Sequence, residues 1–318
     1  MKKRVLITGG LGYLGVRIAG YLDRISECEV IVSRTPKKAQ IPPSLNGCRI
    51  VPLELVSKQG FDVISENIDC IIHLASIDDV ESLKNPVKAV EINCSGTINL
   101  LEEAVKQGIK RFFYMSTAHV YGLSLAGRVT EKKIPKPVHP YAISHKAAED
   151  FVLAAQWLGN LTGVVCRLSN SFGPSDSFSL GRWKLLVNDL ARQAVQTGRL
   201  KLKSSGLQRR DFITITDVCR AVAHFLNLPA KECGDGLFNL GGGVSERVIE
   251  MAKRISERCA KKLSFTPDIL RLEPTQSEKT IPLDYRIDKL NSTGFSLTGP
   301  VDDEIDALLL SCKEQFAK

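Results

Sequence analysis

Residues 5–15 read V-L-I-T-G-G-L-G-Y-L-G and run straight on into V-R-I-A-G-Y-L. Gly9, Gly12 and Gly15 recur at every third position, where a β-branched apolar run gives way to a helical pattern. At such a strand–turn–helix junction the first glycine permits the turn and the second lets the backbone approach a pyrophosphate. The third lets helix pack on strand. The free N–H groups that open the helix, together with the positive end of its dipole, then face the phosphates. The chemistry this spacing offers is the holding of a dinucleotide, NAD or NADP. An NAD site usually ends its second strand with a carboxylate that binds the ribose 2′-hydroxyl. Here Cys28–Val32 is followed by Ser33 and Arg34, with Lys37 and Lys38 close behind. A hydroxyl and several cations suit a 2′-phosphate, so NADP is expected and NAD is the alternative.

The elements that must position such a site alternate along the chain. Arg49–Leu55, Asp69–Ala75, Arg111–Ser116 and Gly163–Leu168 read as further strands, the second of them apolar enough to be buried on both faces. Pro86–Lys106 and Tyr141–Leu158 read as long helices, the latter with Pro140 in front of it, and Trp183–Thr197 as another. The expected fold is α/β, a Rossmann-type doubly wound parallel sheet with a smaller C-terminal substrate lobe. A length of 318 residues accommodates both. The division expected is a dinucleotide-binding domain over 1–168, with returns near 207–230, and an interleaved substrate lobe over 169–318.

Composition narrows the class. A hydrophobic content of 43% and a charged content of 25% are ordinary for a globular enzyme. The net charge of +8 suits anionic ligands, but the basic residues form only short clusters such as Lys132-Lys133 and Lys261-Lys262, so no nucleic-acid tail is expected. Nine scattered cysteines without a C-x-x-C pattern imply neither a disulfide framework nor a metal site, and point to a reducing cytoplasm. No segment has the length or apolarity of a membrane span.

Eight blocks then occur in order: G-G-L-G-Y-L-G, I-I-H-L-A-S, the stretch Asn93–Val105, S-T-A-H-V-Y-G, Y-A-I-S-H-K-A-A-E, R-L-S-N-S-F-G-P, R-R-D-F-I-T-I-T-D-V and F-N-L-G-G-G. With them the chain resembles the extended short-chain dehydrogenase/reductases, in particular the sugar-nucleotide epimerase and dehydratase group. The resemblance implies an NAD(P)-dependent oxidoreductase or epimerase, acting by hydride transfer at a secondary alcohol or ketone of a nucleotide-activated sugar. It implies that Tyr141 transfers the proton and that the Thr117 hydroxyl shares the substrate oxygen. It also implies cofactor contacts from Tyr13, Leu14, Glu54, Leu55, Leu74, Ala75, Ser76 and Asn93, beside Gly9, Gly12, Gly15, Ser33 and Arg34. Substrate contacts are implied for Ser116, His119, Asn170 and Arg210, whose guanidinium suits a diphosphate. Lys184, Asn188 and Arg271 stand as substitutes for a second phosphate contact. A homodimer is implied, formed through the two long helices with Ala147, Phe151, Ala154 and Leu158 as the apolar stripe.

The chain departs from the family at one position that matters. The pattern Tyr-x-x-x-Lys supplies a cation that lets the phenol act as a base, and His145 occupies the lysine position. Lys146, one residue on, points away from the face of Tyr141 on a regular helix. In the family that lysine also bonds the nicotinamide ribose, and three readings are open: a weakened or retuned enzyme, a histidine that fully replaces the lysine by bonding the ribose and, when protonated, depressing the Tyr141 pKa, and a catalytically weak dinucleotide-binding regulator or RNA-binding relative. Ala118 and His119 replace the Asp-Glu pair of the 4,6-dehydratases, which argues against dehydration.

Overall fold

The computed structural model describes residues 2–25, 28–35, 41–175, 182–276 and 278–316. Seven parallel strands form one sheet, in the spatial order Leu237–Leu240, Thr162–Leu168, Arg111–Thr117, Cys70–His73, Lys3–Thr8, Cys28–Arg34 and Arg49–Pro52. The connections run outward from Lys3–Thr8 to one edge and then return to its other side. That reversal opens a crevice beyond the carboxyl ends of the strands. The sheet is the Rossmann-type arrangement that the alternation of elements predicts.

Both faces of the sheet are covered, which is why its strands read as continuous apolar runs. Side chains alternate strictly between two cores. Val5, Ile7, Val30, Val32, Phe113 and Met115 pack on one face with the helices Tyr13–Arg24 and Ile215–Asn227. Leu6, Ile31, Ile71, Phe112 and Tyr114 pack on the other with the helices Gly96–Lys106 and Pro140–Trp157. A third core joins Phe172 and Phe212 to the helices Leu186–Thr197, Val248–Leu263 and Val301–Phe316, and forms the smaller lobe. Leu237–Leu240 returns from beyond that lobe's first segment to become the edge strand of the main sheet.

Some boundaries differ from the sequence reading. Arg49–Pro52 and Cys70–His73 are shorter than the apolar runs that contain them, because the chain turns into the crevice at Leu53 and Leu74. The expected helix over 86–106 is three consecutive pieces, Pro86–Ala89, a π-helical stretch Val90–Ser95 and Gly96–Lys106. The helix expected from Trp183 begins at Leu186, and Trp183 instead packs edge-on against Phe316. All nine cysteines are reduced; Cys48 is half-buried and the other eight are buried.

One buried ion pair ties the helix Pro140–Trp157 to the sheet. Arg167, 2% exposed, donates from Nε at 3.0 Å and from Nη2 at 2.8 Å to Glu149, which is fully buried. The Ser116 hydroxyl donates to the same carboxylate from the neighbouring strand. Glu149→Ala is expected to destabilise the protein by about 3–5 kcal/mol, because it strands the Arg167 charge out of water. Replacing both partners with apolar residues is expected to recover much of that loss, both effects being read from denaturant unfolding midpoints.

Candidate active site

A cavity of about 690 Å³ occupies the crevice. It is lined where each strand ends: Gly9 and Gly12 after the first, Ser33 and Arg34 on the second, Leu74, Ala75 and Ser76 after the fourth, Ser116 and Thr117 on the fifth. Tyr13, Leu14, Gly15, Glu54 and Leu55 also reach its wall, as do Tyr141, His145, His119, Asn170 and Arg210. The structure therefore gathers every expected site residue into one cavity except Asn93. That residue is buried in the π-helical stretch, accepting from the Ile77 N–H at 2.8 Å and donating to the Ser144 hydroxyl at 3.0 Å. Lys37 and Lys38 lie outside the described residues. Of the substitutes, Lys184 lines the cavity, whereas the Asn188 amide donates to the Tyr13 hydroxyl and Arg271 donates to the Ser205 carbonyl.

The glycine turn has the shape of a dinucleotide cradle. Gly9 has a φ of +67°, and a Cβ there would meet Ala75 N at 2.7 Å. A Cβ on Gly15 would fall 2.4 Å from Gly9 O, so the helix can pack on the turn only without a side chain. A Cβ on Gly12 would find only Gly9 O within reach, at 3.1 Å. Gly12 thus leaves space on the cavity side instead of satisfying a clash, as close approach of a phosphate requires. The helix that follows has no side-chain cap and no acidic residue in its first turn, so its N–H end is left for an anion. The Tyr13 side chain turns away from the cradle, its hydroxyl donating to Gly173 O at 2.9 Å.

The groups that could move a proton sit at the opposite wall. His139 caps the helix by accepting from the Tyr141 N–H, and Pro140 at its first position presets the backbone. Tyr141 and His145 follow on one face with ring centroids 4.4 Å apart, edge to face. Burial pushes the Tyr141 phenol up to about 12, with the Arg182 guanidinium opposing and Asp79 and Asp78 adding to the rise. Burial pushes His145 down to about 3, so its ring is neutral at physiological pH. Burial thus disfavours the imidazolium form of His145, whose ring nitrogens bond no counter-charge among the described residues. Lys146 supplies no substitute, being ion-paired with Asp150 on the outer face of the helix. The Nε2 atom of His145 is buried and has no hydrogen-bond partner among the described residues, in a residue that lines the cavity.

Thr117 accepts from the His119 N–H at 3.2 Å, and its own hydroxyl proton has no acceptor among the described residues. The Ser116 hydroxyl, by contrast, is committed to Glu149. Asn170, which lines the cavity, donates from Nδ2 to Asp211 O at 2.9 Å. The Arg210 side chain has no hydrogen bond or ion pair among the described residues, and burial lowers its pKa. Burial and the nearby Arg210 charge both lower His119. Sequence reasoning missed Asp78, Asp79 and Arg182, which line the cavity beside Tyr141; Arg182 reaches Asp78 at 3.4 Å across a sequence separation that no local pattern signals. No cluster of three or more His, Cys, Asp or Glu placed to hold a metal ion occurs among the described residues, and no described helix is long and apolar enough to cross a membrane.

Comparison with known proteins agrees with this geometry. The sequence profile of the NAD dependent epimerase/dehydratase family matches residues 5–241. A UDP-glucuronate 4-epimerase of Thermodesulfobacterium geofontis is 27% identical over 274 residues, 81% of this chain and 82% of that protein. A GDP-6-deoxy-D-mannose reductase of Pseudomonas aeruginosa is 27% identical over 290 residues, 88% of each. Among solved structures, an NAD-dependent NDP-hexosamine 5,6-dehydratase of tunicamycin biosynthesis superposes with a TM-score of 0.80 at 24% identity, over 99% of both chains. Other solved structures of this fold hold NAD in some cases and NADPH in another. The chain belongs to the NAD-dependent epimerase/dehydratase family, within the extended short-chain dehydrogenase/reductases.

Proposed function

We propose that the protein is an NADP(H)-dependent reductase of a nucleotide-linked keto sugar, with residues 1–168 holding the cofactor and the later lobe the sugar. The observation that carries this reading is the resting proton of Tyr141. A phenol pushed up to about 12 beside a neutral imidazole carries its proton throughout the neutral range. A reductase begins from that state, whereas an epimerase must first lose the proton before it can oxidise its substrate.

The residues present fit a bound dinucleotide: the side-chain-free space at Gly12, the uncapped helix N-terminus and the unpartnered Nε2 of His145 all await polar atoms of a ligand. When bound, the nicotinamide supplies the hydride. Gly9, Gly12 and the helix N-terminus hold the diphosphate, and Ser33 and Arg34 hold the 2′-phosphate. His145 holds the nicotinamide ribose, with Leu74, Ala75 and Ser76 along the same wall. Tyr141 donates its proton to the substrate oxygen as that oxygen becomes an alkoxide, while Thr117 donates to the same oxygen and shares its charge. Asn170 and Arg210 hold the far end of the substrate, a diphosphate being the group that an unpaired guanidinium binds best. The strand end after Thr117 continues into Ala118, which is buried, and His119, so no carboxylate follows there to remove water from the sugar.

The helices Pro140–Trp157 and 86–106 pack side by side and leave an apolar outer face, on which Val87 is 68% and Trp157 85% exposed. A second copy of the chain is the occupant that the family resemblance implies.

Three outcomes are expected. Arg34→Ala should weaken NADP binding by about 1.5–3 kcal/mol, the size of a hydrogen bond to a charged group, and leave NAD nearly unchanged in a fluorescence titration. Equal losses would remove Arg34 from the 2′-phosphate. Reduction of a nucleotide-linked ketohexose, followed by nicotinamide absorbance, should show no limb in the histidine range, since His145 is neutral above about pH 3. The reverse oxidation should climb about tenfold per pH unit as the Tyr141 phenol ionises, and His145→Lys should move that limb down by about 1–3 units. Cofactor binding without turnover in both wild type and His145→Lys would instead identify a non-catalytic binding relative. Sedimentation should give a dimer, and Phe151→Glu should give monomers; a monomeric wild type at high concentration would refute the interface.

A further inference from the structure

His145 is 3% exposed, and its two ring nitrogens meet different surroundings. Nδ1 lies 2.7 Å from the Tyr114 hydroxyl, while Nε2 is buried without a partner among the described residues, in a side chain that lines the cavity. Tyr114 stands in the middle of the strand Arg111–Thr117, 2% exposed, with its ring stacked on His73 at 5.6 Å. Its hydroxyl has no second hydrogen-bond partner among the described residues. His73 is pinned in turn: Thr97 donates to Asn93 O at 2.6 Å and so accepts from His73 Nε2, leaving Nδ1 to accept from Thr8. The platform beneath Tyr114 is thus fixed in both orientation and tautomer.

A neutral His145 has one ring proton and two places to carry it. With the proton on Nδ1, the Tyr114 hydroxyl would have to accept, and two buried polar sites would go unmet, the Tyr114 O–H and the Nε2 lone pair. With the proton on Nε2, the Tyr114 O–H donates to Nδ1, and the only unmet group is the Nε2–H. Buried polar groups pair wherever they can, so the second arrangement prevails. Phenylalanine at 114 would keep the stacking on His73 and lose this selection.

We propose that Tyr114 is a positioning residue: its hydroxyl holds His145 in the Nε2–H tautomer, so that the ring presents an uncharged N–H donor to the ribose of a bound nicotinamide cofactor. This rests on the reading that the nicotinamide end of the cofactor lies at His145. The donor function of the lysine found at this position in the family is thereby kept while its charge is dispensed with. A tautomer set from behind also prevents the ring from offering an acceptor where a donor is needed.

Histidine ring-nitrogen shifts of the isotope-labelled protein without ligand test the first half. Wild type should show His145 protonated at Nε2 and bare at Nδ1, and Tyr114→Phe should show a mixture or the opposite tautomer. NADP titrations test the second half. Tyr114→Phe should weaken binding about tenfold, the worth of one hydrogen bond, in a protein that still unfolds cooperatively. In a His145→Lys background the same substitution should change affinity less than about twofold, because lysine needs no tautomer set for it. A wild-type proton on Nδ1, an unshifted tautomer in Tyr114→Phe, or an equal loss of affinity in the lysine background would overturn the proposal. If Tyr114→Phe does not fold, the wild-type spectrum alone decides. The expected tautomer in a protein that binds neither NADP nor NAD would sink the cofactor reading and leave the assignment of Tyr114 and His145 standing.

Discussion

The geometry of the site depends on one carboxylate. Glu149 takes two nitrogens of Arg167 and the hydroxyl of Ser116, and so fastens the helix Pro140–Trp157 to the strands that end at Thr117 and Leu168. The Thr117 and Tyr141 hydroxyls stand on opposite sides of this fastening. Taking two charges out of water is expensive, and the three bonds to Glu149 offset that cost only because their directions are met together. The face of Arg167 also lies over the Tyr121 ring at 4.7 Å, and its backbone carbonyl accepts from Tyr285 at 2.6 Å. One residue therefore bonds helix, sheet and the segment that returns from the smaller lobe.

Charge is distributed unevenly along the cavity. Around Tyr141 burial raises the phenol and lowers the neighbouring His145 imidazole, and the wall there also carries Asp78, Asp79 and Arg182. Where phosphates would lie, the wall carries Arg34 at one end and Arg210 and Lys184 at the other. Burial, with the two carboxylates adding to it, keeps the proton on Tyr141, and the cationic side chains suit an anionic ligand.

The cradle was legible in the sequence because its signal is local. Three glycines, a strand before them and a helix after them are all read within a dozen residues, and the sheet follows from apolar runs of the right length. Thr117, Tyr141, Asn170 and Arg210 were legible from block order, and the structure brings them to one cavity. What escaped depends on partners far apart in the chain. Tyr114 and His145 are 31 residues apart, Arg182 and Asp78 are 104 apart, and nothing in the run R-F-F-Y-M-S-T marks its tyrosine hydroxyl for a histidine. Arg167 reads as a lone cation in a buried strand until Glu149 is placed beside it. Asn93, which motif order assigned to the cofactor, lies outside the cavity lining, with its amide bonded between Ile77 and Ser144. The charge state of His145 could not be read either, since it follows from burial that only packing defines.

The reduced cysteines have a consequence for following this protein's motions. Burial pushes Cys70, Cys259 and Cys312 up to about 12, so at pH 7 only about one molecule in a hundred thousand carries a given thiolate. Such thiols are silent toward alkylating reagents and oxidants until the surrounding segment opens. Cys28, Cys70, Cys166, Cys219 and Cys233 belong to the core beneath the cradle, whereas Cys259 and Cys312 belong to the core of the smaller lobe. The chain thus carries a built-in set of stopwatches, and the order in which its sulfurs become reactive records which of its two bodies loosens first.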